Sequence, residues 1–90
     1  MILITGAGGF IGSNILEEIN KLNEKTVIID DFDNKHKWDF IKEDSFFKYY
    51  NISELDSALK LDYSMIIHMG ANNRMLVSYR LDTFFERFLG

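Results

Sequence analysis

Residues Met1 to Gly12 run MILITGAGGFIG: an apolar trio (Ile2, Leu3, Ile4), a threonine, then glycines that include Gly6, Gly9 and Gly12. Beyond them Ile11, Ile15, Ile19 and Leu22 recur at steps of a helical face. A buried strand, a glycine turn and an amphipathic helix in this order form the first βα unit of a dinucleotide-binding fold. Gly6 lets the chain leave the strand, Gly9 lets the backbone approach a pyrophosphate, and Gly12 lets the helix lie close to the strand. The helix start then turns unpaired N–H groups toward phosphate.

The next strand is Thr26–Asp30, TVIID, an apolar run that closes on a carboxylate. Asp30 falls where such a fold places the acceptor for the adenosine ribose hydroxyls, and Asp31 stands ready to share that role. The polar stretch Phe32–Glu43 carries Lys35, His36 and Lys37, with Trp38, Phe40 and Ile41 to anchor it to the sheet. A lysine beside that ribose can pair with a 2′-phosphate and offset the repulsion from Asp30. Taken alone, the same lysines read as solvated loop charges.

Phe46–Ile52 reads as a third strand, and Ser53 as the cap of a short helix with Asp56 as its capping-box partner. Ser64–Met69 is the fourth strand, running into Gly70 and Ala71, a flat exit suited to the nicotinamide end of a dinucleotide. His68 lies within that strand and reads first as a core histidine. From Arg74 to Leu89, Met75, Val77, Leu81, Phe84, Phe85, Phe88 and Leu89 recur near helical spacing, which predicts one amphipathic helix. The expected architecture is α/β: half of a doubly wound Rossmann fold, four parallel strands in the order 3-2-1-4 with flanking helices and that C-terminal helix.

Composition bounds the rest. The 90 residues are 47% apolar with a net charge of −4, consistent with one small globular domain. No basic stripe speaks for nucleic acid, and no run reaches the ~20 apolar residues of a membrane helix. Cysteine is absent, so thiol chemistry and disulfides are excluded, and two histidines are too few to suggest a metal site. With no cationic leader segment, a cytoplasmic setting is expected.

Thr5-Gly6-Ala7-Gly8-Gly9-Phe10-Ile11-Gly12 resembles the TGxxGxxG turn of the extended short-chain dehydrogenase/reductases, the group of nucleotide-sugar epimerases and dehydratases. Gly12-Ser13-Asn14, Asp30-Asp31, Lys37-Trp38 and Ile66-Ile67-His68-Met69-Gly70-Ala71 are similar to the heptose 6-epimerase branch of that group, which makes the lipopolysaccharide inner-core sugar precursor. The likeness covers residues 1–71 and stops before the divergent segment 74–89. It implies Gly6, Gly9, Phe10, Ile11 and Gly12 at the pyrophosphate, and Asp30 and Asp31 at the ribose. It further implies Lys37 at a 2′-phosphate, Asn51 and Ile52 beside the adenine, and NADP or NAD as cofactor.

The departures bear on activity. The family's Tyr-x-x-x-Lys pair occurs nowhere: Tyr49, Tyr50, Tyr63 and Tyr79 are followed four positions later by Ser53, Glu54, Ile67 and Thr83. No catalytic residue can be named, so the resemblance implies a truncated cofactor-binding piece, inactive alone, whose catalytic half is either lost by frameshift or encoded in a second chain. The competing expectation is a non-enzymatic nucleotide-binding or protein-interaction module acting through the apolar C-terminal helix. The fourth strand, lacking a fifth beside it, is expected to present a bare edge and to favour self-association.

Overall fold

A computed structural model of the chain describes residues 1–43, 45–70 and 74–78. Five strands form one sheet: β1 (Ile2–Thr5), β2 (Thr26–Asp30), β3 (Lys48–Asn51), β4 (Met65–Met69) and β5 (Met75–Ser78). Their order is β3-β2-β1-β4-β5. The first four run parallel, with Ile4 beside Ile28 on one side and Ile67 on the other. Helix α1 (Phe10–Asn20) joins β1 to β2, and the single turn α2 (Leu55–Ala58) lies between β3 and β4. The parallel order is the one the alternation of elements dictates.

Continuous apolar strands are needed because both faces of the sheet are buried. Leu3, Val27, Ile29 and Ile66 point to one face, where Ala58, Leu59, Tyr50 and Tyr63 cover them. Ile2, Ile4, Ile28 and Ile67 point to the other, against Ala7, Leu16 and Phe32. Phe32 in turn stacks on Trp38 with ring centroids 4.2 Å apart. That stack fixes the 3₁₀ turn Lys35–Trp38 beside the end of β2, as the anchoring role of Trp38 anticipated.

Two local expectations are corrected. The helix predicted from Arg74 does not begin there: Met75–Ser78 is strand β5, antiparallel to β4, with Ile67 opposite Val77 and Met69 opposite Met75. The outer edge of β4 carries a row of backbone donors and acceptors that need partners, and this demand outweighs a weak helical periodicity. Next to this pairing the Gly70 N–H donates to the Arg74 carbonyl at 2.8 Å. The fourth strand is therefore not a bare edge; the rest of that predicted helix, 79–89, lies outside the described residues.

The second correction concerns the cap: it sits on a 3₁₀ turn, Ile52–Glu54, that precedes α2, while α2 itself starts from Glu54 with no side-chain cap bond. Asn51, not Ser53, closes the box: its side chain accepts from the following backbone, and Glu54 Oε1 accepts the Asn51 N–H at 3.1 Å. A carboxamide at the strand end can accept these bonds as well as a hydroxyl.

Candidate cofactor cleft

The carboxyl ends of β1, β2 and β4 open into a cleft of about 300 Å3 lined by Gly6, Gly9, Phe10, Ile11, Gly12, Asp30, Lys37, Met69 and Gly70. β1 hands over to the turn at Gly6, whose φ of 74° is left-handed and favours glycine. A Cβ there would lie 2.7 Å from the Met69 carbonyl oxygen. A Cβ on Gly12 would collide with the Gly6 carbonyl oxygen. Both glycines are thus required by the protein's own packing. Gly9 differs: a Cβ on it would meet only the Gly6 carbonyl, at an ordinary 3.8 Å.

Gly9 is also the N-cap of α1. No side chain caps the helix and no acid sits in its first turn. The positive pole of an 11-residue helix is left facing the cleft through Phe10, Ile11 and Gly12.

Asp30 ends β2 with its carboxylate largely enclosed, the side chain 10% exposed. Oδ2 accepts the Gly8 N–H at 2.8 Å, and Oδ1 accepts the Asp31 N–H at 2.7 Å. Lys37, carried in by the 3₁₀ turn, places Nζ 3.5 Å from Oδ1. A negative and a positive group therefore stand together at one end of the cleft, with the helix pole beside them.

Other residues read from the sequence lie elsewhere. Asp31 is exposed and does not line the cleft. Asn51 is committed: Oδ1 accepts the Phe32 and Ile52 N–H groups at 3.2 and 2.9 Å, and Nδ2 donates to Asp33 at 2.9 Å. Ile52 is half exposed and outside the cleft. Ala71 falls outside the described residues. His68 is partly buried rather than in the core: its Nδ1 is bonded to Thr5 Oγ1 across β1 and β4, and burial lowers its pKa, favouring neutral imidazole.

Sequence reasoning passed over Gly8 and Met69. Gly8 had a signal: a fourth glycine in the turn, at a position for which TGxxGxxG asks nothing. Among the described residues no cluster of acids and histidines could hold a metal, and no helix is long and apolar enough to cross a membrane.

The profile of the NAD dependent epimerase/dehydratase family matches residues 2–86. ADP-L-glycero-D-manno-heptose-6-epimerases from Nitratidesulfovibrio vulgaris strains DP4 and Hildenborough are each 30% identical to the chain over 81 residues. Each alignment covers 79% of this chain and 24% of the relative, so the chain spans about a quarter of their length. With the match extending over nearly all of its residues, the chain belongs to the NAD dependent epimerase/dehydratase family.

Proposed function

We propose that the chain binds a nicotinamide dinucleotide in this cleft, as the cofactor-binding part of a nucleotide-sugar epimerase of the heptose class. The observation that carries the reading is Gly9. Its missing side chain answers no demand of the fold, yet it borders the cleft beside an uncapped helix pole. A pyrophosphate passing over Gly9 would supply the acceptors that Phe10, Ile11 and Gly12 lack. Asp30 would accept a ribose hydroxyl, with Asp31 as a second acceptor toward solvent. Lys37 would meet a 2′-phosphate, which favours NADP over NAD. Gly70, with Ala71 after it, would lie under the nicotinamide, and Ile52 would flank the adenine while Asn51 holds the loop.

When bound, the nicotinamide supplies hydride removal and return at a sugar carbon. This chain's residues hold and orient it. Within the 90 residues no Tyr-x-x-x-Lys pair exists, and the buried Tyr63 donates its hydroxyl to the Ala58 carbonyl at 2.6 Å. Proton transfer at the sugar therefore belongs to residues outside this sequence, in a second chain or a continuation of this one.

Calorimetric titration with NADP and NAD tests the proposal, with Gly9→Val as control. Binding by the native chain and its loss in a folded Gly9→Val variant are expected. Equal binding by both, or none by the native chain, rejects the site.

A further inference from the structure

We propose that Gly8 is a specificity-determining position that couples the phosphate turn to ribose recognition; this rests on the dinucleotide reading above. Gly8 touches both charged members of the cleft. Its N–H donates to Asp30 Oδ2 at 2.8 Å. A Cβ built on it would stand 2.8 Å from both the Cβ and the carbonyl oxygen of Lys37, and 3.0 Å from Asp30 Oδ2. The Lys37 carbonyl is backbone and cannot swing aside. Only an absent side chain at residue 8 lets the 3₁₀ turn lie against the glycine turn.

The consequence is electrostatic. The Asp30 carboxylate is held from three sides, by Gly8, by Asp31 and by Lys37 at 3.5 Å. The lysine is one-third exposed, so its ammonium reaches the cleft mouth while still screening Asp30. A ribose bearing a 2′-phosphate meets a cation there, not a bare carboxylate. Gly8 places that cation without contacting the ligand, as a positioning residue.

The test compares NADP and NAD affinities for the native chain, Gly8→Ala, Lys37→Ala and the double variant. Gly8→Ala should reduce the NADP-over-NAD preference about tenfold, the scale of one charge-assisted contact. The double variant should lose no more than Lys37→Ala alone, because both changes remove the same interaction. A native preference retained in Gly8→Ala, or losses that add in the double variant, overturns the proposal. Should Gly8→Ala fail to fold, the ligand-free native chain and Lys37→Ala are compared by the amide resonance of Gly8. It should move, since both groups share one carboxylate; an unmoved resonance overturns the coupling. A native chain that binds neither cofactor defeats the dinucleotide reading, and the Gly8 resonance then still decides the coupling.

Discussion

Gly6 and Met69 are locked against each other: a Cβ on the glycine would lie 2.7 Å from the methionine carbonyl oxygen and 2.9 Å from its Cβ. The turn after β1 is thereby seated on the end of β4. Gly6→Ala must break this contact and force a left-handed backbone on alanine, which should cost about 1–3 kcal/mol. Gly9→Ala meets no such obstacle and should cost less than about 1 kcal/mol, the scale of a lost glycine N-cap. Urea melts of the two variants check the contrast; equal destabilisation would show that Gly9 also serves the fold.

Lys37→Ala should weaken NADP more than NAD, by roughly 1–2 kcal/mol, as one charge-assisted contact disappears. Fluorescence titration with the reduced cofactors measures it. Equal losses would leave Lys37 a solvated loop charge.

Tyr63 gives the alkaline stability a defined sign. Burial pushes its pKa from 10.0 up to about 12 in the folded chain. Between these values the unfolded chain has released the phenolic proton and the folded chain retains it, so unfolding is favoured as pH rises. Its stabilisation is complete below pH 10 and gone above about 12. Tyr63→Phe should flatten this fall in stability and, by deleting the bond to Ala58, cost about 1 kcal/mol near neutrality. Thermal melts across that range decide whether the slope belongs to Tyr63.

The two end strands of the described sheet differ in character. β3 carries Lys48 on its exposed surface, whereas β5 presents exposed Met75 and Leu76 and no charge. Uncharged apolar edges recruit further strands. Light scattering at micromolar concentration should give a mass above that of one chain, and Leu76→Lys should lower it. A monodisperse monomer for both proteins would remove self-association from consideration.

The parts of the fold legible in the sequence are those set by short-range spacing. Apolar runs divided by a glycine turn and a helical stripe determine β1, α1 and β2, and the right-handed crossover then determines strand order. The spacing from Gly12 to Asp30 likewise placed a carboxylate at the cleft. β5 was not legible because its conformation comes from the unpaired edge of β4, not from anything within Met75–Ser78. Gly8 escaped notice for a related reason: the atoms that forbid a side chain there belong to Lys37 and Asp30, distant in sequence. The place of Asn51 beside the adenine came from the family resemblance alone, whereas its bonds to Phe32 and Asp33 are set by residues that spacing along the chain does not connect.

The central place of β1 also governs when the chain can fold. Ile2 finds one neighbour at Thr26 and the other at Met65, and the Met1 carbonyl accepts the backbone N–H of Ser64 at 2.8 Å. Of these strands β1 comes earliest in the chain yet is among the last to be completed, and its apolar side chains wait for β4 to be synthesised. A nascent chain halted at Asp62 should show no cooperative melt and should engage holding chaperones. Extension through Ser78, which supplies β4 and its partner β5, should convert it from a client into a folded body.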